Sequence, residues 1–367
     1  MEGGDRLRAE ELRFGLECEF TEPATANVRA GVSERYRDAV RRRCGGGRPP
    51  LLEAWRQPPL RVTDGSNAGF HTRLFPHRDN GVLEIATEPL SLAEFRRAEP
   101  LLEDAVWRAC RDVGLAPGTD EINRWSMHVN VSWPALAAGR DGDLLLRYVA
   151  DFHDHPELAL GGLGGDIRNA PPLAILGARP RAALRDLVNE HERLPDRGDA
   201  FHVARELRSR VFRERFVYGG RFHNDFYHAV NVCHVRPRPR PKRRYAAANA
   251  VRIEIRASYM QPSAAHALSV LEIVAARLCL LARRTGPIRC VAPAVADPPT
   301  GRLFRPRGVQ DGVTADRVAA CWIGYVREAG LDPTRHAAHL VNPDVRAAAA
   351  ALLAADRPPA RPMSTTP

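Results

Sequence analysis

The chain has 367 residues, 44% hydrophobic and 27% charged, a balance that excludes wholesale disorder and collagen-like architecture. That length suits one large domain or two ordinary ones. Net charge is +10, yet all but one of the 54 basic residues are arginine, Lys242 being the only lysine. Such a skew, with abundant Ala, Gly and Pro, reads as codon bias of a GC-rich genome; it favours anionic ligands without making nucleic acid an expected partner. No run approaches 18 uninterrupted apolar residues and the opening MEGGDRLRAEELR lacks an apolar core, so neither a membrane-spanning helix nor a secretion signal is expected, and the expected compartment is the cytoplasm. Seven cysteines, odd in number and without a C-x-x-C pair, read as reduced thiols rather than a disulfide framework or a cysteine zinc site.

In chain order, residues 1–13 read as a lead-in and a strand pattern opens at Phe14. CGGGRPP (44–50) and TDGSNAGFHTRLFPHRDNG (63–81) read as loops from their Gly, Asn, Asp and Pro content. Helical spacing predicts a helix over Leu101–Val113, stopped by Gly114, and further helices at Leu144–Phe152, Arg181–Arg193 and Asp199–Phe216. RPRPRPKRR (236–244) alternates Pro with Arg and is expected to be an extended basic loop. A strand at Ala250–Ala257 and a long buried helix from Ala264 to about Arg284 follow. Residues 14–290 are expected to form the main domain, 291–355 a helical C-terminal extension and 356–367 a disordered tail.

Four predicted strands share one layout. In Phe14–Phe20, Leu16, Cys18 and Phe20 alternate with Glu17 and Glu19. Glu84 and Glu88 lie on one side of Leu83–Glu88; His128, Asn130 and Ser132 align in Met127–Ser132; Arg252, Glu254 and Arg256 align in Val251–Arg256. A solvated sheet face gives the same alternation, but usually with Lys, Thr, Ser and Gln. These faces collect Glu, His, Asn and Arg, side chains that bind metal and phosphate. Two glutamates at i and i+2 lie roughly 7 Å apart and repel by roughly 2–3 kcal/mol at an effective dielectric near 20. Several such pairs in one place call for a cation. Oxygen-rich sites with one imidazole suit Mg²⁺ or Mn²⁺ better than Zn²⁺, and Mg²⁺ shares phosphate oxygens, which points to a nucleoside triphosphate.

These stretches resemble the glutamine synthetase and glutamate–cysteine ligase superfamily of carboxylate–amine ligases, and within it the compact amidoligase branch. FGLECEF resembles the first Glu-x-Glu strand and GVLEIATEPL the second acidic strand. SMHVNVSW resembles the Met-His-x-His strand, and NAVRIEIRASYMQPSAAHAL the Arg-x-Glu-x-Arg strand with its following helix. The resemblance implies an α+β fold: a curved antiparallel β-sheet with helices on its outer face, like the catalytic domain of glutamine synthetase. It implies that Glu17, Glu19, Glu84, His128 and Glu254 hold two or three divalent cations, Mg²⁺ or Mn²⁺, around the phosphates of ATP. Arg256 would contact the γ-phosphoryl group or an acyl phosphate, and Glu254 is placed among the catalytic residues with it. Arg252, Asn130 and Ser132 would assist at the nucleotide. In RFHNDFYHAVN (221–231), Arg221, Tyr227 and Asn231 are carried over as phosphate or nucleotide contacts. The implied activity is an ATP-dependent carbon–nitrogen ligase joining a carboxylate to an amine, each a small molecule or a peptide, with the oligomeric state open.

The sequence departs from that pattern. Asn130 stands at the second histidine, only 13 residues precede the first strand, and Ala257-Ser258-Tyr259-Met260-Gln261-Pro262 lacks the acidic residue usual in glutamine synthetases, which argues against glutamate and ammonia as the substrates. No G-x-x-x-x-G-K-[ST] loop and no G-x-S-x-G elbow occur. His153-x-His155 and His223 to His228 lack zinc-site spacing and read as polar surface histidines. The enzymatic alternative is a guanidino-type phosphotransferase on the same fold. The non-enzymatic ones are a basic module using residues 236–244 to bind nucleic acid or an acidic partner, and a pseudoenzyme holding ATP as structure.

Overall fold

The computed structural model describes residues 7–22, 31–44, 60–63, 71–79, 82–117, 126–155, 157–158, 170, 173, 178–213, 216–218, 221–223, 228–237, 251–290 and 314–356. Strand β1 (Arg13–Thr21) buries Leu16, Cys18 and Phe20 on one face and turns Glu17 and Glu19 to the other. On one side it pairs with β4 (Val82–Thr87), on the other with β6 (Met127–Ser132). Beyond β4 lie β3 (His71–Asp79) and then β2 (Leu60–Thr63); beyond β6 lie β10 (Ile253–Ile255) and β9 (Val230–Asn231). Every pairing is antiparallel, and the short β5 (Ala116–Pro117) attaches to the end of β1. A separate hairpin joins β7 (Phe216–Tyr218) to β8 (Arg221–His223).

The curved sheet expected from the sequence is not what forms. The strand order is linear and ends at β2 and β9, which do not pair with each other. The registers of β1 with β4 and β6, and of β3 with β4, run residue for residue without a skipped position. Bulges bend a strand, and within these ladders there is none; the pairing shifts by one residue only past their ends, at the bridges Phe14–Leu90 and Ser126–Tyr259. The sheet is open.

One other expectation fails in the same sheet. Residues 63–81 are not one loop, because β3 occupies His71–Asp79. Pro76 disguised it, but Pro76 pairs with Ile85 of β4 at a level beyond β2, whose pairs stop at Leu60↔Leu74. The missing N–H therefore falls on an edge, where proline is tolerated. Of the lead-in, residues 7–13 are described: Ala9–Glu11 form a helical turn, Leu12 is fully buried and Arg13 already belongs to β1.

Helices cover the apolar face of the sheet. The helix Leu92–Leu102 starts earlier than its spacing suggested, because Ser91 and Glu94 form a capping box. It passes Pro100 and continues through a π-turn at Glu103–Arg108 into Ala109–Asp112. Trp107 of that π-turn donates its indole N–H to the Gln261 carbonyl at 2.7 Å, and Tyr36 of the helix Val32–Cys44 donates to Ala105 O at 2.7 Å. The helix Ala264–Ala282 has the length and hydropathy of a membrane span, which the test of uninterrupted apolar runs did not register, but packs 67% buried in the core. The expected strand over Ala250–Ala257 shrinks to β10. Residues 238–250, 291–313 and 357–367, with most of the basic loop, lie outside the described residues, as does most of 155–180. Helices at Ala315–Glu328, Pro333–Ala337 and Pro343–Ala355 make up the described C-terminal part.

That part is fastened by charge. Arg277, only 1% exposed, grips Asp151 of the helix Gly142–Asp154 through Nε (2.8 Å) and Nη2, and donates to Glu328 at 2.5 Å. Its guanidinium lies 4.1 Å above the Tyr325 ring, whose hydroxyl donates to Asp151 at 3.2 Å. Removing one member of a buried ion pair leaves its partner uncompensated, which costs about 3–5 kcal/mol. Arg277→Met is therefore expected to lose about that much in urea unfolding, with Arg277→Met/Asp151→Leu recovering part of it; a single-variant loss below about 1 kcal/mol would contradict a buried ionic fastening.

Candidate metal centre

The registers bring distant acidic residues to one place. Glu17 stands opposite His128 on β6 and Ala86 on β4, while Glu19 stands opposite Glu84. One pair further along, Asn130 faces Gly15 on β1 and Glu254 on β10, and Glu254 faces Asn231 on β9. Because facing residues in an antiparallel ladder share a face, all these positions point away from the helices. One oxygen or nitrogen each from Glu17, His128 and Glu254 lies within 4.8 Å of the others, and all three residues are buried. His128 Nδ1 is 3.3 Å from both Glu17 Oε2 and Glu254 Oε1. Two carboxylates and an imidazole converging in this way fit a divalent metal ion.

Charge is balanced around this cluster as far as the protein can manage. Arg256 donates to Glu254 Oε1 at 2.6 Å, and Asn231 donates to Oε2 at 2.7 Å. Burial opposes ionisation of Glu254, but Arg256, then His128, outweigh it and hold this carboxyl below the usual range. Glu19, the least covered of the four carboxylates, is shifted the other way: desolvation raises its pKa, although His128, the Ser126 N–H at 2.8 Å and Arg256 pull it down. Glu84 is buried beside it. Asn130 uses both ends of its amide, donating to Glu17 Oε1 at 3.3 Å and accepting from Arg252 Nε at 2.6 Å. It therefore ties the cluster to Arg252 within the protein.

The structure thus brings Glu17, Glu19, Glu84, His128, Asn130, Asn231, Arg252, Glu254 and Arg256 onto one sheet face. Ser132 lies further along β6 and gives its hydroxyl to Val251 O at 2.6 Å, so its polar group serves the backbone. Arg221 is on β8 of the separate hairpin, with its side chain outside the described residues, and Tyr227 is outside them altogether. Glu88, which lines up with Glu84 in the sequence, is held by Arg73 through its N–H at 2.8 Å and its guanidinium at 3.8 Å.

His234 was not found from the sequence. It approaches Glu254 Oε2 at 3.7 Å because the chain turns immediately after β9, with Val235 N donating to Val232 O. No periodicity marks a residue delivered by a turn. The histidines read as surface groups are also placed differently. His153 and His228 are both buried, each packed against Phe212, at 5.8 and 4.4 Å between ring centroids.

No family model matches the chain, and no curated protein matches it significantly. What can be said of this centre comes from its own residues. It is a candidate site for a divalent metal, compatible with a metal-dependent enzyme.

Two predictions follow from the geometry. Mn²⁺ or Mg²⁺ at a hundredfold excess over Kd should stabilise the fold by about 2.7 kcal/mol, read as a rise in melting temperature. Glu17→Gln should lose that rise yet melt no lower than wild type in EDTA, because it removes one of the repelling charges; a metal-dependent rise retained in this variant would rule out Glu17 as a ligand. Burial, and then the neighbouring His228, push the His153 pKa down from 6.5 to about 3. Below pH 6.5 the unfolded chain accepts a proton that the native imidazole refuses, so stability falls as pH drops through this window. His153→Gln should take up about one proton fewer on unfolding at pH 5, measured as a shallower pH dependence of the urea midpoint.

Proposed function

We propose that this protein is an ATP- and Mg²⁺- or Mn²⁺-dependent ligase that joins a carboxylate to an amine through an acyl phosphate. The observation that carries the reading is the buried Glu17–His128–Glu254 cluster with Arg256 on Glu254. The order of the four motif strands along the chain, and their resemblance to carboxylate–amine ligases of the amidoligase type, supply the reaction class.

The chemistry follows from charge. A carboxylate resists attack by an amine because it is anionic and would have to expel oxide. In the proposed reaction a carboxylate oxygen attacks the γ-phosphorus, the bond to the β,γ-bridging oxygen breaks, and ADP departs. The amine then attacks the acyl carbon, phosphate leaves, and the surplus proton passes from the nitrogen to a base. A divalent cation would screen the phosphoryl charge during transfer. Arg256, with its side chain 19% exposed beside Glu254, is the cation of this chain best placed to meet the transferred group. Asn231 and Asn130 fix the carboxylates of Glu254 and Glu17, so that the site is organised before substrate arrives. The proposed compartment is the cytoplasm, which supplies ATP and suits seven cysteines that are all free thiols.

Glu254→Gln and Arg256→Ala should each cut ATP turnover by about 10²-fold or more while the far-UV spectrum is unchanged. The assay is ADP release from purified protein with ATP, Mg²⁺ and mixed acids and amines, together with product mass. Release that needs both acid and amine supports a ligase; release driven by a guanidino compound alone would assign a phosphotransferase instead. Full activity in both variants would refute the reading.

A further inference from the structure

A cleft of about 650 Å³ lies where the helix Ala264–Ala282 and the loop after it meet the helix Gly142–Asp154. That volume falls inside the range of small-molecule sites, about 300–1,000 Å³. No residue of the metal cluster lines it. One wall is Arg147, Asp151 and Asp154, which their spacing of four and then three residues sets on a single helix face. The rest of the lining comes chiefly from Arg277, Leu281 and the loop over residues 283–289.

Five of the fourteen lining residues are arginine, against about one residue in seven over the whole chain. They outnumber the three carboxylates of the cleft, Asp151, Asp154 and Glu328. Three of the five are engaged: Arg277 with Asp151 and Glu328, Arg284 with Glu328, and Arg147 with Asp143 and the Gly286 carbonyl. Arg283 and Arg289 are exposed, and no described hydrogen bond or ion pair engages either guanidinium. The loop between them is nevertheless fixed. Arg147 donates to Gly286 O at 2.5 Å, and the buried Ile288 donates its N–H to Glu192 Oε1 at 2.5 Å. A loop that is already held in place loses little freedom when a ligand binds.

Two unspent guanidinium charges match one phosphate dianion, whose oxygens accept from several N–H donors at once. A bare ion would leave most of the volume empty, and with it the apolar surface of Leu281 and Pro287. We propose that this cleft is a second ligand site that binds a small organic phosphate, with Arg283 and Arg289 as its anion contacts. The site does not rest on the ligase reading, and its test stands whether or not acid and amine together release ADP.

The test measures calorimetric binding of ribose 5-phosphate, phenyl phosphate, inorganic phosphate, ribose and polyuridylate to the full chain in Mg²⁺ at fixed ionic strength. At least one of the two organic phosphates should bind about tenfold or more tightly than inorganic phosphate and ribose. Arg283→Gln/Arg289→Gln should weaken that binding by about tenfold or more at an unchanged melting temperature. Arg108→Gln/Arg111→Gln, which removes the same charge from exposed ion pairs elsewhere, should bind as wild type does, and so should Glu17→Gln. No binding of either organic phosphate, equal binding of inorganic phosphate or ribose, affinity kept in Arg283→Gln/Arg289→Gln, or an equal loss in Arg108→Gln/Arg111→Gln overturns the proposal. A loss in Glu17→Gln alone places the phosphate at the metal centre and overturns it too. Polyuridylate binding that needs Arg283 and Arg289, without binding of the small phosphates, makes the cleft a nucleic-acid contact and discards the small-molecule site.

Discussion

Antiparallel pairing forces carboxylates together here, and the rest of the site is arranged around that constraint. Glu19 and Glu84 are register partners, and Glu17 and Glu254 approach the same imidazole from two strands. Two full charges 4–5 Å apart repel by about 3–4 kcal/mol at an effective dielectric near 20. Arg256 donates directly to the cluster, and Arg252 is tied to it through Asn130. A divalent ion at the candidate centre would ease this repulsion, and the protein's own hydrogen bonds fix where the carboxylates of Glu17 and Glu254 point.

The apolar side of the same strands supplies the rigidity. Leu16, Cys18 and Phe20 are packed under helices, so β1 cannot slide without exposing them. A slip of one residue would exchange the glutamates with the core residues. Core packing and site geometry are therefore set by one register. Thr87 adds a lock at the end of β4, its hydroxyl accepting from Leu16 N at 2.9 Å. The C-terminal helices stand on a second ionic assembly around Arg277, on the helical side of the core, in which this arginine is used for permanent pairing rather than for a ligand.

An arginine-rich composition says little about function by itself, since several described arginines make exposed ion pairs of small energetic value, such as Arg108 with Asp104 and Arg327 with Asp356. Position separates them. Arg277 is buried and fully engaged, and Arg256 stands at the edge of the acidic cluster. The same residue type is locked in the core at one position and set beside the acidic cluster at another, according to the element and face it occupies.

The alternation in Phe14–Phe20, Leu83–Glu88 and Met127–Ser132 was enough to assign these strands and to place Glu17 with Glu19, and His128 with Asn130, on one side of their own strand, because a period of two leaves no other arrangement. The helix Ala264–Ala282 was equally legible from its apolar composition, and the C-terminal extension was expected to be helical. What the chain alone did not disclose depends on contacts between segments far apart in sequence. Pro76 hid β3 until pairing with β4 showed that its missing N–H falls beyond β2. The sheet is open because its last strands, β2 and β9, do not pair with each other, a property of two strands together and never of one. His234 reached Glu254 through a turn. Local periodicity decides which way a side chain points, whereas only the pairing of strands decides what it points at.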